Sequence, residues 1–314
     1  MDVVLNSIKI GVLGGGVSEE RDISLISANE AFKALKRKNL NVVFIDIFNR
    51  DKEKIKEMLI SSDIDLAFIA LHGEFGEDGQ IQNILEEMGI LYTGSGPLAS
   101  YLAMNKIASK KIFFKEKIPT PNFIVWDNKE ILPSNLRYPV VVKPYFSGSS
   151  LGVSIVWKEY SLKEALNKAF SLQEKVILED YIEGRELTVG ILKDKPLGVV
   201  EIIPKTEFYD FTTKYSDNLA EFIAPAHLES SLYKEIQEIA LRAHKALGCR
   251  HFSRVDIRLS RDNIPYVLEV NSIPGLTSHS LLPLSAKSCG IDFDNLILEM
   301  VLCALYEKKS SAKV

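Results

Sequence analysis

Between Ser253 and Leu281 the sequence reads SRVDIRLSRDNIPYVLEVNSIPGLTSHSL, and its polar residues recur at a spacing that can do chemistry. Two alternating runs, Ser253 to Leu259 and Ile264 to Val270, flank the turn-forming Ser260-Arg261-Asp262-Asn263, which predicts a β-hairpin. A four-residue loop pairs Leu259 with Ile264, Asp256 with Val267 and Arg254 with Glu269. Side chains two apart share a face, so Arg254, Asp256, Glu269 and Asn271 point to one side. Two carboxylates that close repel unless a cation lies between them. An all-oxygen donor set of Asp256, Glu269 and Asn271 suits Mg²⁺ or Mn²⁺, of the kind that also holds substrate phosphates. A solvated polar face with a surface ion pair is the blander alternative. The Pro274-Gly275 punctuation straight after Asn271 favours the metal, because a sharp turn that bares a backbone N–H builds a site.

Other stretches carry complementary groups. Tyr138 to Lys143 is a buried strand ending in lysine, followed by a run rich in glycine and serine that contains Ser147, Gly148, Ser149, Ser150 and Gly152. Such a run offers backbone N–H and hydroxyl donors that wrap phosphate oxygens. It is not a Walker A motif, because the lysine precedes the glycines. Val176 to Tyr181 ends an apolar strand with Glu179 and Asp180, a place where an acid and backbone groups can grip an adenine and its ribose. Gly14-x-Gly16 follows a strand but is no dinucleotide fingerprint, since Glu19 and Glu20 stand where a pyrophosphate would dock. Those acids suit a helix N-terminus, and one of them can hold a ligand's ammonium group. His72 in LHGEFGEDG lies at the carboxyl edge of a strand, where open α/β sheets bind ligands. Residues 205–226 are long, polar and aromatic, the form of a lid that carries Tyr209, Lys214 and Tyr215 inward.

The elements that must position these groups follow from periodicity. Residues 8–97 alternate strand and helix, which predicts a parallel sheet covered on both faces. A helix from Leu98 to Lys117 carries five lysines, most of which are expected on a solvated face, and composition shifts near residue 97 as at a domain boundary. With 314 residues, 46% hydrophobic and 25% charged, the chain is an ordinary globular protein of two or three domains. A net charge of -4 gives no reason to expect nucleic acid or an acidic membrane as partner. Three cysteines, Cys249, Cys289 and Cys303, are spaced unlike a zinc site and suggest reduced thiols in the cytoplasm. Neither a signal peptide nor a membrane-length apolar run is expected from the pattern.

The segments GGGVSEERDISL, LHGEFGEDG, YTGSGPLAS, VVVKPYFSGSSLGV, LEDYIEGRELTV, FYDFTTKY, SRVDIRLS and LEVNSIPGLTSHSLLP occur in that order across residues 8 to 300. They resemble the D-alanine–D-alanine ligases of the ATP-grasp superfamily. The resemblance implies a Rossmann-like N-terminal domain (1–97), then a two-lobed ATP-grasp fold (98–184 and 185–314, with the lid), α/β at first and α+β towards the C-terminus. It implies a cytoplasmic homodimer that uses ATP and a pair of Mg²⁺ or Mn²⁺ ions to join two D-alanines for peptidoglycan synthesis.

The resemblance also implies roles for individual residues. Glu20 receives the first D-alanine's ammonium in a triad with Ser149 and Tyr215, and His72 is among the substrate-binding residues. Lys106, Lys143 and Ser150 hold ATP phosphates, and Lys214 lies near the transferred phosphate. Glu179, Asp180, Ile182 and Glu186 form the adenine and ribose pocket, and Asp256, Glu269 and Asn271 are the metal ligands. Arg254 and the N–H of Gly275 form the oxyanion site, with Ser280 and Leu281 at the second D-alanine's carboxylate. Three positions depart from the family's usual residues: Ser147 stands for glutamate, Asn105 for aspartate and His251 for glycine. A related amino-acid ligase and a silent nucleotide-binding protein are the rival readings, and the presence of Glu20, Arg254, Asp256 and Glu269 speaks against them.

Overall fold

The computed structural model describes residues 5, 7–127, 136–205, 220–277 and 280–311. The chain opens with β1 (Lys9–Gly15), α1 (Arg21–Arg37), β2 (Asn41–Ile47), α2 (Lys52–Ser62), β3 (Leu66–Ile69), α3 (Gln80–Met88) and β4 (Leu91–Tyr92). Their strands form a parallel sheet in the order β2-β1-β3-β4. β1 beyond Lys9 and all of β3 are buried, as strands covered by helices on both faces must be. The carboxyl ends of β1 and β3 deliver the Gly14–Glu20 and Leu71–Gly79 loops to one edge of the sheet, the edge expected to bind ligands.

The lysine-rich stretch is not one helix. It divides into α4 (Pro97–Met104) and α5 (Lys106–Lys115) at Asn105, whose ψ of 94° is extended. Asn105 bridges to Phe146 and caps the second helix, its Oδ1 accepting from the Ala108 N–H at 3.0 Å. An aspartate or an asparagine serves that capping role equally well. The helical periodicity runs through the break, which is why the sequence pattern conceals it.

Next come β5 (Phe123–Trp126), β6 (Val140–Pro144), β7 (Ser154–Val156), α6 (Leu162–Phe170) and β8 (Val176–Asp180), the strands forming an antiparallel sheet in the order β5-β8-β6-β7. The remaining elements are β9 (Gly184–Leu192), β10 (Lys195–Pro204), β11 (Ala220–Ile223), α7 (Ser230–Ala246), β12 (Phe252–Ser260), β13 (Pro265–Asn271), α8 (Leu281–Lys287) and α9 (Phe293–Ser311). Their strands form a second antiparallel sheet, β11-β10-β9-β12-β13. The end of the expected lid, Ala220 to Ile223, is therefore an edge strand paired with β10. Residues 206–219, with Tyr209, Lys214 and Tyr215, lie outside the described residues.

One face of this sheet buries Val189, Val255 and Val267 against Ile236 and Ala240 of α7. On the other side Leu282 and Ala286 of α8 and Ile297, Met300 and Val301 of α9 share a core with Ala31 and Leu35 of α1. Each such fully buried aliphatic side chain contributes about 1.5–3 kcal/mol, so α9 fastens the last sheet to the first. The bidentate pair of Arg37 with Asp294, at 2.7 and 2.6 Å, closes that contact at the surface.

The β12–β13 hairpin has a different register from the one its spacing predicts. Leu259 pairs with Pro265, Ile257 with Val267, Asp256 with Glu269 and Arg254 with Asn271. The turn takes one residue more than expected, with Asn263 in the left-handed region (φ 60°) and Ser260 exchanging backbone hydrogen bonds with Ile264 and Asn263. A bulge at Leu268 then adds a second residue of shift. Bulges re-aim side chains at the cost of one unpaired residue, and here the bulge sets Glu269 directly opposite Asp256. The expected clustering survives by a route the alternation did not show.

Candidate active site

A cleft of about 490 Å³ opens between the two antiparallel sheets, a volume suited to a nucleotide-sized ligand. Nine of the residues given a site role from the sequence line it: Lys106, Lys143, Ser150, Glu179, Asp180, Ile182, Glu186, Asp256 and Glu269. They come from six elements and the loops beside them, which explains their wide separation in the chain.

The cleft's cations and anions are matched. Lys106 Nζ lies 3.1 Å from Glu269 Oε2 and donates to the Ser147 carbonyl at 2.6 Å. Lys143 Nζ is 2.7 Å from Glu179 Oε1, and Arg258 Nη1 is 3.2 Å from Glu186 Oε2. Arg185 makes a bidentate pair with Glu201 at 2.7 Å, and that carboxylate's hydrogen bond raises the guanidinium's pKa above its ordinary value. Glu179 is buried, which on its own raises its pKa, yet the Lys143 and Lys110 ammonium groups prevail and hold it below the usual carboxylate range.

The Ser147–Gly152 loop is a tight turn whose Ser147 and Ser150 line the cleft. Ser149 (φ 49°) and Ser150 (φ 57°) are both left-handed, and the Leu151 N–H donates to the Gly148 carbonyl at 3.1 Å. Two consecutive non-glycine residues with positive φ are costly and mark functional turns. The backbone anchors the loop: Lys106 N–H donates to the Tyr145 carbonyl at 2.9 Å while its ammonium takes the Ser147 carbonyl. A glutamate side chain at position 147 is thus not needed to hold this end of the loop.

On the far side of that loop Ser149 Oγ donates to Glu20 Oε1. Glu20 is 5% exposed at the N-terminus of α1, whereas Glu19 faces solvent. The Glu20 carboxylate lies in a cradle of glycines, since a Cβ on Gly73 or Gly148 would come within 2.6 or 3.1 Å of Oε2. Ser18 makes no side-chain cap to α1; its hydroxyl donates to the His72 carbonyl at 2.8 Å and accepts from the Glu20 N–H.

His72 is 3% exposed, with both ring nitrogens engaged inside the protein. Nε2 meets Ser27 Oγ at 2.9 Å, and Nδ1 lies 3.1 Å from the Ile273 carbonyl and 3.3 Å from Glu77. Ser27 Oγ also accepts from the Leu276 N–H. His72 therefore holds the Ile273–Leu276 loop in place rather than facing open space as its strand-end position suggested. That loop carries Gly275, where a Cβ would meet Ser280 Oγ at 3.0 Å. Ser280 Oγ accepts from the Thr277 N–H at 3.1 Å, and Leu281 begins α8, 7% exposed.

At the hairpin, Arg254 grips Asp256 with two hydrogen bonds of 2.8 Å, and Thr188 Oγ1 donates to Asp256 Oδ1 at 2.7 Å. Asn271 Oδ1 accepts from the Ile273 N–H at 3.0 Å. Asp256 and Glu269 are each paired with a cation of the protein, and among the described residues no group of three His, Cys, Asp or Glu forms a metal cluster. Two opposed carboxylates and a nearby amide oxygen remain a donor set that fits a hard divalent cation.

Arg258, Arg185, Glu201 and Lys110 were not picked out from the sequence. The first was legible: it lies two residues beyond Asp256 on the same strand face. Arg185 and Glu201 meet across β9 and β10, whose register the sequence does not reveal. Lys110 is one of five lysines most of which were expected on a solvated face, and the structure buries it completely, 0% exposed. It lies one helical turn beyond Lys106, on the face of α5 that turns inward.

Residues 46–95 match the family model described as D-ala D-ala ligase N-terminus, and residues 116–302 match that described as D-ala D-ala ligase C-terminus. The chain belongs to the D-alanine–D-alanine ligase family. The D-alanine–D-alanine ligase of Geotalea uraniireducens is 46% identical over 96% of this chain and 96% of its own. That of Carboxydothermus hydrogenoformans is 43% identical, with 95% and 98% covered. A crystal structure of the Bacillus anthracis ligase complexed with ATP aligns with a TM-score of 0.84 and 35% identity, covering 97% of this chain and 100% of that one. The fold is thus mixed α/β and ligase-like. Among the described residues no helix is long and apolar enough to cross a membrane.

Proposed function

We propose that the chain ligates two D-alanines to D-alanyl-D-alanine at the expense of ATP, as its family does for peptidoglycan synthesis. The observation that carries this reading is the junction of two sites through one loop. Ser150 lines the nucleotide-sized cleft while its neighbour Ser149 bonds to the buried carboxylate of Glu20. A phosphate donor and an amino-acid ammonium held on either side of that turn would bring a γ-phosphate against a carboxylate.

The chemistry balances without a protein nucleophile. An oxygen of the first D-alanine's carboxylate attacks the γ-phosphorus and the bond to ADP breaks, giving D-alanyl phosphate. The amine of the second D-alanine attacks the acyl carbon, and the tetrahedral intermediate expels phosphate. In our reading Glu179, Asp180, Ile182 and Glu186 receive adenine and ribose, while Lys106, Lys143 and Ser150 receive phosphates. Asp256, Glu269 and Asn271 would hold Mg²⁺ or Mn²⁺, which neutralises phosphate charge when bound. Arg254 and the Gly275 N–H steady the developing oxyanion, an effect worth about 3 kcal/mol per donor in comparable sites. Ser280 and Leu281 receive the second D-alanine's carboxylate, and Lys214 and Tyr215 complete the site from the lid. His72 serves the oxyanion site indirectly, by fixing the loop that carries Gly275.

The same reading makes the parallel sheet a Rossmann-like domain over 1–97. The antiparallel sheets are then the two ATP-grasp lobes, over 98–184 and 185–314, in a cytoplasmic homodimer. The test is phosphate release from ATP and Mg²⁺ with D-alanine, L-alanine, or D-lactate plus D-alanine. Release with D-alanine alone, dipeptide seen by mass spectrometry and loss in Glu269→Ala support the reading. Turnover only with the D-lactate mixture would overturn it in favour of ester formation.

A further inference from the structure

Lys110 is the most deeply buried charged group in the described residues, and the reaction as derived makes no use of it. Its ammonium forms an ion pair with Glu179 Oε2 at 2.5 Å and donates to Thr120 Oγ1 at 2.6 Å and to the Pro121 carbonyl at 3.3 Å. The other oxygen of the same carboxylate, Glu179 Oε1, takes Lys143. Lys143 on β6 and Glu179 on β8 are diagonal neighbours, because Val141 stands opposite Glu179 in the ladder. Both line the cleft, and Lys110 does not. It stands behind the carboxylate, out of reach of any ligand in the cleft.

We propose that Lys110 is a positioning residue of the nucleotide site, which clamps Glu179 from behind and leaves Lys143 with net positive charge to offer a phosphate. The proposal rests on the reading of the cleft as the ATP site. A lone Lys143–Glu179 pair would be neutral, and Glu179 would spend its charge on the group meant for the ligand. With a second ammonium on the other carboxylate oxygen the cluster carries one net positive charge. A buried cation is expensive unless it is paired and hydrogen-bonded, and Lys110 has the Glu179 carboxylate as counter-ion and two oxygen acceptors besides. Burial pulls its pKa down to about 8 against the attraction of Glu179, which leaves it mostly protonated at neutral pH. The Lys143 side of the carboxylate faces the ligand and the Lys110 side faces the core, so the two lysines cannot exchange roles.

The test reads the ratio of adenosine to ATP dissociation constants, which isolates the phosphate contribution, in the full chain by calorimetry. Lys110→Met should lower that ratio at least tenfold, and Lys110→Arg should keep it within threefold. The double variant Lys110→Met with Glu179→Gln restores the cluster's net charge and should return the ratio to within threefold of the parent, although overall nucleotide affinity falls with the lost carboxylate. A merely structural lysine would make the two changes additive instead. If Lys110→Met does not fold, the double variant decides alone: a tenfold loss in its ratio overturns the proposal. An unchanged ratio in folded Lys110→Met also overturns it. Lys143→Met separates the two levels, because a tenfold loss there with no loss in Lys110→Met sinks the clamp and leaves the ATP site standing. No loss in either variant sinks both.

Discussion

Replacing Gly73 by alanine should cripple use of D-alanine and leave ATP binding intact. Gly73 has a φ of 72°, and its Cβ would lie 2.6 Å from Glu20 Oε2 and 2.8 Å from Ser18 Oγ. A left-handed alanine costs about 1–2 kcal/mol in backbone energy alone. An ordinary contact begins at 3.4 Å, so the Glu20 carboxylate must retreat by about 0.8 Å. Misplacing a positioning group by about 1 Å can cost ~10²-fold. The expected result is a fall of about 10- to 100-fold in kcat/KM for D-alanine, measured by phosphate release at saturating ATP. Gly73 does not line the nucleotide cleft, so the dissociation constant for ATP should stay within about twofold, the ordinary reach of an indirect effect. Thermal unfolding in parallel confirms that the variant is folded. A folded Gly73→Ala enzyme with unchanged kcat and KM for D-alanine would refute the assignment of Glu20 to the substrate's ammonium.

Two further predictions concern the hairpin and the core. Asp256→Asn removes a carboxylate opposite Glu269 and strips Arg254 of its bidentate partner; the Mg²⁺ concentration for half-maximal rate should rise and kcat should fall by about 10² or more, in keeping with lost charge stabilisation, and an unaltered Mg²⁺ titration would refute the donor assignment. His244 is buried against Ser253 Oγ at 2.7 Å, and burial lowers its pKa from 6.5 to about 4. Between those values the unfolded chain binds a proton that the folded protein refuses, so stability is complete above pH 6.5 and falls as pH drops towards 4. The single group accounts for about 3 kcal/mol over that window. Urea unfolding at pH 7 and pH 4 should therefore show a loss smaller by about that amount in His244→Gln, and equal losses would refute the account.

The strands were legible because they are apolar and short, and the N-terminal sheet follows directly from its alternation with helices. The site was legible where chemistry and punctuation coincide, as at Asp256, Glu269 and the Gly148–Ser150 turn. The register of β12 and β13 was not, because a bulge leaves no mark in an alternating pattern: Leu268 is simply one more apolar residue. Lys110 was hidden for a related reason. A lysine among five lysines reads as surface, and only the fold shows that Glu179 and Thr120 wait beneath it. His72 was found as special but misjudged in manner, since its partner Ser27 lies far away in sequence.

The most direct test of the central claim follows an oxygen atom. D-alanine labelled with ¹⁸O in its carboxylate should transfer one labelled oxygen to the released phosphate with every dipeptide formed, because that oxygen bridges carbon and phosphorus in D-alanyl phosphate. Mass spectrometry of the phosphate reads the result. One ¹⁸O per phosphate is what phosphorylation of the carboxylate predicts. Unlabelled phosphate alongside dipeptide would contradict it, because ATP would then not have activated the carboxylate through its own oxygen.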